Sequence, residues 1–321
     1  MGAAVSARPS NSLLLGKSPS ARPRLGFLGA GWIGRARLEA IERSGVAEVA
    51  AVCDPAVQGA LASLDELLER ELDGLVIATP SALHAEQATR ALAAGVAVFC
   101  QKPLARTAAE ARRVVEAARA ADLLLGVDLS YRHARAFRVA VDLVRSGELG
   151  LLVGADLVFH NAYGPDKPWF RDPELSGGGC VVDLGIHLVD LAGQVAGPFE
   201  RVHARLVGEP VETYATVELD EVRLACSWNL NAGRDAVIEA SFYGTEGGVS
   251  VTNVDGSFFD FRCDRFRGTS RETLVEPPDD WGGRAAVAWA QRLGRGERFD
   301  PAAEELVALH DTIDRIYACA S

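Results

Sequence analysis

The sequence predicts an α/β protein in two units: a doubly wound parallel sheet, then an α/β unit with an open, mainly antiparallel sheet. Three observations carry the prediction. Between Arg24 and about Asp128, short continuous apolar stretches alternate with helical ones. A Gly-x-Gly-x-x-Gly run, Gly29–Gly34, directly follows the first apolar stretch and opens a helical one. From Arg201 to Val254 the chain turns to closely spaced β-rich segments.

In the first unit the candidate strands are Leu25–Leu28, Val49–Cys53, Leu75–Ala78, Val96–Cys100 and Leu123–Val127. Each is rich in Val, Leu, Ile or Ala, as a strand buried on both faces requires. In the helical segments between them, Ser63 with Glu66 and Thr107 with Glu110 fit the capping box, in which side chains satisfy orphan first-turn amides. Strictly alternating strands and helices imply right-handed crossovers and a doubly wound parallel sheet of the Rossmann type. Beyond Asp128 a helix is expected near Ala134–Arg145 and a strand near Val153–His160. A Gly- and Pro-rich loop and a helix near Val181–Val195 follow. The segments Arg201–Val207, Ala215–Leu219, Val222–Leu230, Val237–Tyr243 and Gly248–Val254 read as an antiparallel meander. A helix from about Ala302 to Cys319 closes the chain. The division is a disordered tail (1–22), a Rossmann domain (23–128), and a substrate-binding and oligomerisation domain (129–321).

A chain of 321 residues, 48% apolar and 24% charged, has the composition of a globular protein with a sizeable core. Its net charge of −11 argues against a nucleic-acid partner, since phosphate tracking needs excess Lys and Arg. No apolar run is read as approaching the roughly 18 residues that span a bilayer, so no membrane partner is expected. The six cysteines form no Cys-x-x-Cys pair and lie in apolar stretches, the pattern of small buried hydrophobes in a reducing, cytoplasmic setting, with no metal site or disulfide expected. The tail carries Arg8, Lys17, Arg22 and Arg24 and no acid through residue 24. Its one apolar run, Leu13–Leu15, is too short for a signal peptide. The Met-Gly-Ala-Ala-Val-Ser start matches a myristoylation pattern only loosely.

In the glycine run, Gly29 permits the tight turn, Gly31 lets backbone approach a pyrophosphate, and Gly34 lets helix and strand pack. Trp32 and Ile33 then lie in the first turn of a helix whose free amides and dipole favour phosphate. Asp54 follows Gly34 by 20 residues at the end of the second strand, where a carboxylate accepts from the adenosine ribose. The next residues, Pro55 to Gln58, include no Arg or Lys to neutralise a 2′-phosphate. NAD is therefore expected as cofactor rather than NADP.

After the third strand come Thr79 and Pro80, then Ser81 as a candidate helix cap. His84, in that helix's first turn, reads either as a helix-end hydrogen bond or as packing at the cofactor site. Gln101, Lys102 and Pro103 end the fourth strand, and ligands of open parallel sheets bind beyond such carboxyl ends. Lys102 is thus expected to polarise a hydroxyl or ketone, with a cis Pro103 fixing its aim. Asp183 and His187, placed four residues apart after Gly177–Gly179, are expected on one helix face as a tuned acid–base pair.

Taken with Tyr243-Gly244-Thr245-Glu246-Gly247, these segments, in this order and spacing, resemble the glucose-fructose oxidoreductase, inositol dehydrogenase and MocA (Gfo/Idh/MocA) family over nearly the whole chain after residue 23. The resemblance implies a Rossmann domain plus an α/β domain whose open sheet often makes homodimer or homotetramer contacts. It also implies NAD(P)-dependent oxidation or reduction of a carbinol carbon in sugars, cyclitols or their derivatives. By motif, Lys102 matches the family's Glu-Lys-Pro lysine, and Asp183 and His187 match its Asp-x-x-x-His pair. His187 is then the base for the hydroxyl proton, Lys102 binds and polarises that oxygen, and Asp183 orients the substrate and His187. The sequence departs at Gln101, where the family pattern has Glu; losing that charge is expected to favour neutral Lys102.

Asn161, Tyr163, Trp169 and Arg171, with Arg132 and His133, are candidates to line a polyol pocket or to serve ordinary loop packing. Two alternatives to a sugar or cyclitol dehydrogenase stand open. One is a ketoreductase in nucleotide-sugar or aminosugar biosynthesis; the other is a non-catalytic NAD-binding sensor.

Overall fold

The computed structural model describes residues 22–320. The expected tail, with Leu13–Leu15 and the Met-Gly start, lies outside them apart from Arg22. The first unit runs β1 (Arg24–Leu28), α1 (Trp32–Ser44), β2 (Glu48–Cys53), α2 (Leu64–Leu68), β3 (Gly74–Ile77), α3 (Ser81–Ala93), β4 (Ala97–Cys100), α4 (Ala108–Ala121) and β5 (Leu125–Val127). All five strands pair in parallel in the order β2-β1-β3-β4-β5. Every residue of β3 and β4 is buried, which is why these strands read as unbroken apolar runs. The serine and threonine caps form as expected: Ser63 Oγ accepts from Glu66 N and Thr107 Oγ1 from Glu110 N, each at 3.2 Å. The return bonds reach one residue further back than a capping box, to Ala62 N and Arg106 N. Ser81 does not cap. Pro80, at φ −59° and ψ 144°, takes that place, so Ser81 enters α3 as its first, buried residue.

The second unit opens with a 3₁₀ turn, Ser130–His133, then α5 (Arg135–Arg145) and β6 (Leu152–Asn161). A 3₁₀ turn at Pro168–Arg171, α6 (Pro173–Ser176), a π turn at Val181–Gly185 and α7 (Ile186–Ala196) follow. Then come β7 (Val202–Val207), β8 (Tyr214–Leu219), β9 (Val222–Ser227), β10 (Ala236–Gly244), β11 (Gly248–Asn253), β12 (Phe261–Arg267), β13 (Ser270–Val275), α8 (Arg284–Gly294) and α9 (Glu304–Cys319). The eight strands order as β13-β12-β11-β10-β6-β9-β8-β7. This is not the simple meander expected. β6 inserts between β10 and β9 and runs parallel to β9. The β9–β10 connection, residues 228–235, is longer than a tight hairpin loop of about two residues and can step across one strand.

Two expectations about apolar surface are revised. The segment Pro173–Ala196 is long and apolar enough to span a membrane, with a mean hydropathy of 1.3, against the reading that no run approaches that length. It is instead a broken core helix whose apolar window is 78% buried. The division at residue 128/129 places α8 in the second unit, yet Ala285, Ala286, Trp289 and Ala290 pack on Leu25, Phe27, Val76 and Phe99 of the first sheet. The cysteines are free thiols, buried except Cys319.

Candidate active site

Chemistry collects where the parallel strands end. Gly29 has φ +91°, and a Cβ there would stand 2.5 Å from Ala78 O. A Cβ on Gly34 would stand 2.2 Å from Gly29 O, so both positions need glycine. Gly31 faces open space and caps α1 without a side-chain hydrogen bond, so the first-turn amides stay available to an anion. Trp32 is 76% exposed beside that loop, and Ile33 is half-buried. Asp54 Oδ2 accepts from Ala30 N at 2.6 Å and Oδ1 from Ala56 N at 2.8 Å. The carboxylate thus pins the glycine loop to the end of β2, and its remaining lone pairs can accept ribose hydroxyls. These residues fit a bound dinucleotide.

Thr79 Oγ1 donates to Gln87 Oε1 at 2.6 Å, which anchors the turn after β3 against α3. His84 is only 1% exposed. Its Nε2 lies 2.7 Å from Thr79 O and its Nδ1 2.7 Å from Pro103 O. Of the two readings of His84, the geometry favours the helix-end hydrogen bond, because both ring nitrogens face backbone carbonyls rather than the cleft. Burial holds its basicity below the ordinary imidazole range, against the pull of the two carbonyls. His84 joins the start of α3 to the bend at Lys102-Pro103, whose peptide bond is cis.

Lys102 Nζ donates to Asp183 Oδ1 and to Asp183 O, each at 2.7 Å. Residues 81 apart in sequence therefore meet in one partly buried ion pair. Lys102 thus meets a carboxylate from the second unit although residue 101 is Gln. Trp228, just after β9, donates its Nε1 to Asp183 Oδ2 at 3.0 Å, so each carboxylate oxygen has a donor. The π turn carries Asp183, and His187 follows as the second residue of α7. Such wider turns recur at functional sites. The expected uniform helix face is thus a π-to-α junction. His187 is half-buried against Tyr131, with ring centroids 4.9 Å apart. Burial, then the Lys102 charge, push its pKa down to about 3, while Asp183 pulls it back. The imidazole is therefore neutral at physiological pH, and its basicity lies well below the near-neutral range expected of a tuned acid–base pair.

The remaining candidates divide. Arg132 grips Asp190 through Nε at 2.9 Å and reaches Glu305 through Nη1 at 3.0 Å, so it braces the fold. His133 is half-buried, and its carbonyl accepts from Arg284. Asn161 Oδ1 accepts from Tyr163 N at 2.7 Å, and the Tyr163 hydroxyl donates to Asp235 Oδ1 at 2.5 Å. Arg171 is exposed. Trp169 stacks on Phe170 at 3.9 Å, and Phe170 meets Trp228 edge-on at 6.4 Å. An aromatic chain thus leads from the loop to Asp183. Neither Phe170 nor Trp228 stood out in the sequence; the available signal was a Trp directly after an alternating strand, whose N–H must find a partner when buried.

The model of the oxidoreductase family with an NAD-binding Rossmann fold (GFO/IDH/MocA) matches residues 24–129, and the GFO/IDH/MocA C-terminal domain matches residues 137–250. The chain belongs to this family. Among Gfo/Idh/MocA relatives, the 1,5-anhydro-D-fructose reductase of Ensifer adhaerens is 34% identical over 182 residues, 52% of this chain and 54% of that protein. The chain thus spans about half the length of that relative. The rhizopine catabolism protein MocA of Rhizobium meliloti is 28% identical over 74% of this chain and 76% of its own. Among solved structures, KijD10, a 3-ketoreductase from Actinomadura kijaniata in complex with NADP and TDP-benzene, superposes with a TM-score of 0.81 at 24% identity, covering 93% of this chain and 98% of that one. GenD2 from gentamicin A biosynthesis, in complex with NAD, gives 0.80 at 23%, covering 98% and 97%. The two structures share the fold.

Proposed function

We propose that this protein is an NAD-dependent dehydrogenase acting on a CH–OH group of a sugar, cyclitol or aminosugar derivative. The observation that carries the proposal is the Lys102–Asp183 pair at 2.7 Å, with neutral His187 beside it, at the carboxyl end of β4. Gly29, Gly31, Trp32, Ile33, Gly34 and Asp54, with Thr79, Pro80, Gln101 and Lys102, would hold the dinucleotide. When bound, its nicotinamide supplies the hydride acceptor. Lys102 binds the substrate hydroxyl through its ammonium. His187 takes the hydroxyl proton. Asp183 orients Lys102 and, through Trp228, is itself held. Positioned acid–base groups of this kind contribute about 10²–10⁴-fold. Trp169 offers an aromatic face to the substrate ring.

Asp54, with no Arg or Lys through Gln58, supports NAD over NADP. The free thiols support a cytoplasmic location. Exposed Tyr243 on the uncovered side of the eight-stranded sheet supports a homodimer or homotetramer. The test is to incubate the protein with NAD or NADP and a panel of polyols, aldoses and aminocyclitols, following absorbance of the reduced cofactor. Turnover with NAD, lost in Lys102→Ala and in His187→Ala, is expected. Retained NAD binding without turnover on any panel member, or on ketosugars with NADH, would instead support the sensor reading. Asp54→Ala should weaken NAD binding about tenfold, the loss of a charge-assisted hydrogen bond.

A further inference from the structure

Behind the cleft, the ends of β4 and β5 meet α1. Asp128, directly after β5, is 1% exposed, and its backbone N donates to Cys100 O at 2.9 Å. Its carboxylate accepts from three buried side chains: Arg37 Nε of α1 at 2.5 Å, Ser130 Oγ at 2.5 Å, and Gln101 Nε2. Arg37 Nη2 also reaches Ser130 Oγ at 3.2 Å. Burial alone would raise the Asp128 carboxyl, but the Arg37 charge and these hydrogen bonds hold it below the usual carboxylate range. An ionised carboxylate only accepts hydrogen bonds. It therefore fixes which way the Gln101 carboxamide lies, NH₂ toward Asp128 and Oε1 away. Among the described residues, Gln101 Oε1 has no protein donor.

We propose that Asp128 is a positioning residue of the cofactor site: it locks Gln101 so that Oε1, next to Lys102, is presented as an acceptor to the bound nicotinamide cofactor. Arg37, from the helix that the glycine loop opens, holds Asp128 in place. A Glu at position 101 would present an acceptor and carry the charge itself. In this chain the acceptor stays at 101, and the charge sits on the neighbouring strand end. Arg37 offsets one carboxylate, so a Glu at 101 beside Asp128 would bury an uncompensated second one.

The inference rests on the proposed cofactor site. NADH binding to the unaltered protein, read by fluorescence titration, tests that site by itself. The charge exchange then tests Asp128, with dissociation constant and melting temperature measured for D128N, Q101E and Q101E/D128N. Each single variant should lower the melting temperature and weaken NADH about tenfold, the scale of one hydrogen bond to a charged group. The double variant, which restores one carboxylate and one amide to the pair, should bind within about threefold of the parent. Two results would overturn the proposal: D128N binding NADH like the parent, or a double variant that regains melting temperature but not affinity. Should a single variant fail to fold, the affinity of the isosteric double variant decides.

Discussion

Trp228 shows how a single side chain outside the motifs shapes the site. The Lys102 ammonium and the Trp228 indole divide the two oxygens of Asp183 between them, at 2.7 and 3.0 Å. Trp228→Phe keeps an aromatic ring near Phe170 and removes the N–H together with part of the indole, whose lost packing the melting temperature reports. A hydrogen bond to a charged group contributes about 1.5–3 kcal/mol, so kcat/KM should fall about ten- to a hundredfold. Steady-state kinetics, with melting temperature as the control for folding, checks this; an unchanged kcat/KM would show that Lys102 alone orients Asp183. Lys102, Asp183 and His187 could be singled out in the sequence because each sits in a short motif, at a strand end or after a glycine run. Trp228 was not, because its partner lies 45 residues away and only the sheet brings them together. His84 was ambiguous for a related reason: first-turn placement cannot say whether a ring faces a cleft or the carbonyl of Pro103.

The element that most affects the site is the π turn before α7. Its amino end has no side-chain cap of its own. Instead Glu212, 5% exposed, accepts from Gly179 N and Val181 N at 2.9 Å and from the Tyr317 hydroxyl at 2.8 Å, all on Oε1. One buried carboxylate thus ties the π turn to α9. Glu212→Ala leaves three donors without that acceptor and should destabilise by about 2–4 kcal/mol, given about 1–3 kcal/mol for an unsatisfied buried group and incomplete additivity. Glu212→Gln keeps an acceptor of the same shape and should lose less. Urea unfolding of the two variants checks the ranking; equal losses would mean that packing, not acceptance, matters. The parallel strands were readable because burial on both faces leaves an unbroken apolar signature. β12 and β13 were not, because Phe-Arg-Cys-Asp-Arg-Phe-Arg and Ser-Arg-Glu-Thr-Leu-Val carry the charges of a sheet margin open to water. The place of β6 between β9 and β10 is likewise a tertiary choice that strand periodicity does not encode.

At the scale of the molecule, the fold withdraws imidazoles from water. Five of the six histidines have basicity lowered by burial: His84 on α3, His133 after the first unit, His160 on β6, His187 on α7 and His310 on α9. Each has an ordinary pKa of about 6.5 in the unfolded chain. Below that value the unfolded chain binds protons that the folded one refuses, so stability falls as pH falls, by up to about 1.4 kcal/mol per pH unit for each group. Asp190 and Glu212, whose carboxyls burial pushes upward, act in the opposite direction. Asp128, Asp264 and Asp279, held low by arginines, add their own loss only at more acidic pH. The balance places the onset of acid destabilisation near the imidazole range rather than the carboxylate range. Melting temperature should therefore drop already between pH 6.5 and 5. His310 offers the sharpest control: it is 2% exposed, its Nδ1 sits 2.7 Å from Leu306 O, and the backbone of Ala105 is its other hydrogen-bonding neighbour. His310→Gln removes one of the five titrating groups and should flatten the slope over that interval, whatever it does to stability at pH 7.5. A melting temperature constant from pH 7.5 to 5, or a slope that His310→Gln leaves unaltered, would mean that these rings admit protons without opening the fold.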